Sequence, residues 1–224
     1  MALGIGTMVS EPANLSRAQM ELLEAHGVES MERGLTVAQA AQRRECLNVV
    51  RPPVDCPAWL CIVLPCIGHL PSMVAFAKLK PEDAEVKRDS QWVCYDAVSV
   101  VTGDILRLTE GDVVPADCTV LQLVDGGTDE VLVDTSAITG EDRPRSITRN
   151  SKDNTTKPVQ LFYGSYVLQG SVIAIVTAVG DQTMLAHLIC AGTWPPKGNI
   201  VLSPDALDTV DEEAGVSLIT RDTL

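Results

Sequence analysis

The chain has 224 residues, of which 46% are hydrophobic and 21% charged, and its formal net charge is −13. That composition fits a folded protein of one or two domains. With no basic stripe, it excludes nucleic acid as a partner, because phosphate neutralisation needs clustered Lys and Arg.

The first predicted elements are two short amphipathic helices. In residues 15–27, LSRAQMELLEAHG, Ser16 and Gln19 have the spacing of a capping box, Leu15 and Met20 that of a hydrophobic staple, and Gly27 is placed to end the helix. LTVAQAAQRRECLN repeats the device with Thr36 and Gln39. Residues 1–50 are therefore read as an N-terminal helical segment. The chain shows no basic region followed by an apolar core at its start, so no signal peptide is expected.

Residues 57–77, PAWLCIVLPCIGHLPSMVAFA, contain no Asp, Glu, Lys or Arg. The run matches the ~20 apolar residues that a bilayer-crossing helix requires, and it is read as one transmembrane segment. Pro65 and Pro71 are tolerable in that setting and Trp59 suits an interface. Lys78, Lys80, Lys87 and Arg88 would put the following end in the cytoplasm. The other reading is a buried hydrophobic segment. Cys56, Cys61, Cys66 and His69 share no face that would make a metal path.

From about residue 82 to 190, short runs rich in Val, Ile, Thr and Tyr alternate with Gly, Pro and Asp. These are EVKRDSQWVCYDAVSVV, GDILRL, GDVVPADCTVLQLV, DEVLVDTSAI, VQLFYGSYVLQG and SVIAIVTAVG. This predicts a mainly β domain, a sandwich or distorted jelly roll, closed by a short helix over QTMLAHLIC. Residues 191–224, with Asp205, Asp208, Asp211, Glu212, Glu213 and Asp222, read as an acidic, loosely ordered tail. The seven cysteines (Cys46, Cys56, Cys61, Cys66, Cys94, Cys118 and Cys190) are odd in number and form no CxxC pair. That argues against a disulfide framework or a zinc site, and the thiols are expected to act as small hydrophobes in a reducing, cytosolic setting.

One loop raises a chemical question. In VLVDTSAITGEDRPRS, residues 131–146, Thr139-Gly140-Glu141 presents a carboxylate beside a glycine. A turn needs the glycine but not the acid. Taken alone the loop reads as solvated surface. Three clusters stand in one order, however: VVTGDILRLTEGDVVPAD at 100–117, VDTSAITGED at 133–142 and FYGSYVLQGSVIAIVTAVGDQT at 162–183. Together they resemble the actuator domain of the P-type cation-transporting ATPases, whose pattern runs GDIL…GD.VPAD, VD.S.LTGES, GS…G…V…G..T. The matching positions are Gly103 to Leu106, Gly111, Asp112, Val114 to Asp117, Val133, Asp134, Ser136, Thr139 to Glu141, Gly164, Ser165, Gly170, Gly180 and Thr183. AFAKLKPEDAEVKRDSQW resembles the stalk leading into that domain, and its LKP…V.RD..W pattern is most like the plasma-membrane proton pumps.

The resemblance implies that Glu141 orients the water that attacks an aspartyl phosphate carried on a separate phosphorylation domain, in cis or in trans. Gly140 and Thr139 would support it, and Asp134 and Ser136 would hold the loop in shape. Asp104, Asp112 and Asp117 are expected to form turns. ATP and Mg belong to an intact family member, and none is expected on this chain. The family's DKTG and GDGxND motifs do not occur in the sequence, Asp142 stands where Ser is usual, and Ala186-His187 stands where Gly-Lys is common. A second negative charge at Asp142 would repel a phosphoryl group. The chain is expected to be a P-type ATPase reduced to its N-terminal segment and actuator domain, membrane-attached with that domain cytoplasmic. The alternatives are a non-catalytic regulatory module docking on a full-length pump, or a gene fragment without function.

Overall fold

The computed structural model describes residues 16–44, 47–54, 69–124, 130–148 and 159–196. Its body is mainly β. Strands β1 (Asp83–Arg88), β2 (Gln91–Asp96), β3 (Ile105–Thr109), β4 (Asp117–Leu123), β7 (Gln160–Leu161) and β9 (Ser171–Ala178) form a six-stranded sheet in the order β2-β1-β3-β9-β4-β7. Strands β5 (Glu130–Asp134), β6 (Arg145–Thr148) and β8 (Tyr166–Gln169) form a three-stranded sheet in the order β6-β5-β8. The strand pairings among the described residues are antiparallel, with one isolated parallel bridge between Leu35 and Arg88. The run EVKRDSQWVCYDAVSVV is not one strand: Asp89 and Ser90 turn the chain with φ of 49° and 66°, and β1 pairs with β2 across them.

Strand alternation sends successive side chains to opposite faces. From the large sheet Leu106, Leu108, Cys118, Val120, Val172, Ala174 and Val176 point inward and pack with Val131, Val133, Ile147 and Val167 of the small sheet. Ile105, Leu121 and Ile175 occupy the other face and pack with Leu23, Val28, Met31, Leu35 and Ala40 of the N-terminal segment. Leu121, after inward Val120, faces the outer layer, and a register shift between Val120 and Gln122 breaks the alternation so that Leu123 returns to the inner one.

The outer layer is made by helices α1 (Arg17–Ala25) and α2 (Val37–Arg43), and both capping boxes form as the spacing predicts. The Gln19 side chain also donates to the Leu121 carbonyl at 2.5 Å, tying the first box to the β4 irregularity. The Asp89 carboxylate accepts from the Val37 N–H at 3.0 Å, so the β1–β2 turn supplies a second cap to α2. Beneath it lies a buried ion pair. Arg88 donates from Nε to Asp104 Oδ1 at 2.9 Å and from Nη2 to Oδ2 at 2.6 Å, with both side chains almost wholly enclosed. Tyr95 packs under the guanidinium, its ring centre 4.6 Å away. Arg88 and Lys87 therefore both serve the β body, the Lys87 ammonium lying 5.1 Å from the centre of the Trp92 ring.

Of the apolar run 57–77, residues 57–68 lie outside the described residues. Its far end forms α3 (Pro71–Lys78), whose first residue is the proline, a position where the missing N–H costs nothing. No helix among the described residues is long and apolar enough to cross a membrane. Helix α5 (Met184–Cys190) forms where predicted, capped by the Thr183 hydroxyl, which accepts from Ala186 N–H. Of the described cysteines only Cys118 is the small core hydrophobe expected; Cys94 and Cys190 are exposed thiols. Cys94 donates to Asp83 at 3.2 Å, and that contact raises its pKa. Residues 197–224 lie outside the described residues.

Candidate catalytic loop

Strand β5 is pinned to the body by buried Val131 and Val133, and it delivers the chain to the loop at Asp134. The strand does not run directly into Thr139-Gly140-Glu141. One helical turn, α4 (Ser136–Thr139), intervenes. Asp134 starts it by accepting the Ser136 N–H on Oδ1 at 2.8 Å, a short-range side-chain bond that competes with strand continuation. Ile138 of the turn is buried. Thr139 Oγ1 donates to the Thr135 carbonyl at 3.1 Å and accepts from the Glu141 N–H at 3.4 Å. The Thr139 hydroxyl thus fixes the turn, as its residue type suggests, and Asp134 and Ser136 start it.

Gly140 ends the helical turn with φ of 73°, its N–H donating to the Ser136 carbonyl at 2.8 Å. Left-handed backbone there favours glycine. A second demand comes from an unexpected direction. A Cβ on Gly140 would lie 3.0 Å from Pro196 Cβ. Next to Pro196, Trp194 is buried, and its indole N–H donates to the Ala137 carbonyl of α4 at 2.8 Å. Residues 191–224 read in sequence as a loosely ordered tail, yet residues 194–196 pack on the loop. The only hint in the sequence was a Trp-Pro-Pro run in otherwise acidic surroundings.

Glu141 is exposed, its side chain retaining 55% of its free surface, and it accepts from Arg145 Nε at 3.2 Å. The Arg145 guanidinium carbon lies 6.0 Å from the centre of the Phe162 ring. Asp142, Arg143 and Pro144 are exposed as well. Arg145 is engaged with Glu141, and exposed Arg143 stands beside Asp142 in the chain, two cations that reading the motif alone passes over. The loop offers one carboxylate able to accept from water, beside guanidinium groups able to attract phosphate oxygens.

The other motif acids hold the body together. Asp104 is the buried partner of Arg88 and also accepts the Val101 N–H at 2.9 Å, so it is more than a turn former. Asp112 accepts from Thr109 N–H at 2.6 Å and from its hydroxyl at 2.9 Å, fixing the turn after β3. Asp117 accepts from Tyr163 N–H at 2.8 Å and Met184 N–H at 2.7 Å, which joins β4 to the turn between β7 and β8 and to α5. Burial pushes its carboxyl pKa up against the opposing pull of those two bonds. His187 is exposed on α5, and its electrostatic influence lowers the Asp117 pKa. Among the described residues no group of three or more His, Cys, Asp or Glu could hold a metal ion.

Comparison with known proteins sharpens this picture. A family model described as the P-type ATPase actuator domain matches residues 78–191. Potassium-transporting ATPase alpha chain 2 of Homo sapiens is 33% identical over 120 residues, which is 52% of this chain and 11% of that protein. The same protein of Oryctolagus cuniculus is 32% identical over 120 residues, covering 52% of this chain and 10% of its own length. A solved zinc-transporting PIB-type ATPase in its E2.Pi state aligns at 21% identity and a TM-score of 0.41, over 52% of this chain and 17% of that one. The matched stretch is thus about a tenth of the length of these curated relatives. With its match spanning the whole β body, the chain belongs to the P-type ATPase family, and the domain that presents Glu141 is an actuator domain.

Proposed function

We propose that the Glu141 loop hydrolyses an aspartyl phosphate presented by the phosphorylation domain of a P-type ATPase. The observation that carries this reading is the placement of Glu141, one residue past a left-handed Gly140, exposed at the tip of a loop whose base is buried. In the step, a water oxygen attacks phosphorus in line, and the bond from phosphorus to the aspartyl oxygen breaks. Phosphate leaves and the aspartate carboxylate is restored. Glu141 accepts the hydrogen bond and then the proton of that water. Such positioning and base catalysis are worth roughly 10²–10⁴-fold in rate. Gly140 and Thr139 set the carboxylate's position, and Arg143 and Arg145 offset the charge of Asp142.

In this reading the chain works within, or docks beside, an ATP-driven cation pump at the cytoplasmic face of a membrane. ATP and Mg are handled by the pump's other domains. The uncharged run 57–77 is the basis for a membrane anchor, although its far end forms α3 and packs on the actuator body through Phe76, and the LKP…V.RD..W stretch supports kinship with proton pumps, although the named relatives are potassium-transporting. A second reading, a non-catalytic module that docks on a full-length pump, is favoured by Asp142, which repels phosphate where the family usually has Ser.

One experiment separates the two. The full chain is co-expressed with a pump whose own loop glutamate is replaced by Gln, and decay of the radiolabelled phosphoenzyme is followed in isolated membranes. Faster decay with the wild-type chain and none with Glu141→Gln is expected. No acceleration, or equal acceleration by both, rules out the catalytic role. The chain should stay with a carbonate-washed portion of the same membranes, and its release into the wash rules out the anchor.

A further inference from the structure

We infer that residues Trp194 to Pro196 form a strap that positions the Glu141 loop and links it to α3. Three contacts define the strap. The indole N–H of Trp194 donates to the Ala137 carbonyl in α4 at 2.8 Å. The ring of Trp194 meets the ring of Phe76, on α3, edge to face at 6.2 Å between centres and 82° between planes. Pro196 covers the Cα of Gly140 closely enough that no Cβ would fit there without a shift.

These contacts bring the two flanks of the actuator body onto one spot. Phe76 precedes and Trp194 follows the residues 78–191 that the family model matches. Trp194 is 57 residues from Ala137 in sequence, so only the fold brings them together. It also belongs to a small apolar cluster with Val50, Tyr163, Leu185 and Ala186, against which Ala75, Phe76, Leu79, Leu188 and Ile189 pack. The α4 turn has only four residues, and a helix this short is marginal without tertiary contacts. Buried Ile138 holds it on one side, and the strap touches it at Ala137 and Gly140. A displacement of α3 that carries Phe76 with it therefore pulls on Trp194 and, through the Ala137 carbonyl, on the turn that aims Glu141. Trp194 is a positioning residue; its bearing on hydrolysis rests on the role proposed for Glu141, but the mechanical link does not.

Hydrogen exchange on the full chain tests the link without any catalytic step. The reporters are the amides of Ile138, Thr139 and Gly140, which bond to Thr135 and Ser136 carbonyls. Trp194→Phe keeps a ring and removes the N–H. Losing one such bond is expected to speed exchange of these amides roughly three- to tenfold while β3 and β9 amides keep their rates. Phe76→Leu should speed the same amides, reporting the link to α3. Pro196→Ala serves as a milder variant should Trp194→Phe fail to fold. Unchanged exchange at 138–140 overturns the inference, as does a rise shared equally with β3 and β9, which would mark general destabilisation. In the phosphoenzyme assay, Trp194→Phe should slow decay without changing how much chain is needed for half the effect. If Glu141→Gln proves as active as wild type while the exchange result holds, hydrolysis by this loop is refuted and the strap stands.

Discussion

Gly140 answers two demands at once: a left-handed backbone and a proline lying over its Cα. Gly140→Ala should accordingly cost more than a left-handed position alone, for which about 1–2 kcal/mol is ordinary. A total of about 2–3 kcal/mol is expected in chemical denaturation, and part of it should return in the Gly140→Ala, Pro196→Ala double variant. Equal costs in the two backgrounds would show that Pro196 leaves room for a methyl group. At this scale the sequence was informative about the acid and the glycine, since Thr139-Gly140-Glu141 is contiguous and sits in an ordered set of motifs. It was silent on Arg145, which reaches Glu141 only because the loop folds back, and on Trp194, whose partner lies 57 residues away. Its reason for Gly140, the needs of the turn alone, is incomplete, because the neighbouring chain makes its own claim on the space.

The β1–β2 hairpin shows the same limit for elements. Two-residue connections with φ positive at both positions strongly favour Asn-Gly or Asp-Gly, because only such residues adopt that backbone cheaply. Here the pair is Asp89-Ser90, and with no glycine the turn is hidden inside an unbroken β-like run. Ser90→Gly should therefore stabilise the protein by about 0.5–1 kcal/mol, read as a raised Tm, because it relieves the left-handed strain at 66°. No gain would mean that glycine's extra freedom in the unfolded chain cancels the relief. Asp89 must be retained, since its carboxylate caps α2. Helices α1 and α2 were legible for the opposite reason: a capping box is closed by residues three apart, so the sequence carries the whole of it.

For the molecule as a whole, burial of Tyr163 sets an alkaline limit. The residue is 4% exposed, and burial pushes its hydroxyl from 10.0 to about 12. The unfolded chain releases that proton near pH 10 while the folded chain holds it, so this contribution to stability is complete below pH 10 and falls as pH rises through 10–12. By pH 12 the loss is about 2–3 kcal/mol from this group. The buried Cys118 thiol, also pushed up, acts in the same direction. Denaturant midpoints measured across pH 9–12 should fall less steeply in Tyr163→Phe than in wild type; parallel curves would place the titration elsewhere. None of this could be read from the chain, because strand order β2-β1-β3-β9-β4-β7 depends on pairings distant in sequence. Composition and periodicity gave a β body but not which residues it would enclose.

The outer layer of the large sheet has a practical corollary for anyone excising the actuator body. A fragment begun at residue 78, where the family match starts, discards Leu23, Val28, Met31, Leu35 and Ala40 and leaves Ile105, Leu121 and Ile175 facing water. Such a naked sheet invites self-association. The smallest well-behaved piece must start before the first capping box, at or ahead of Ser16.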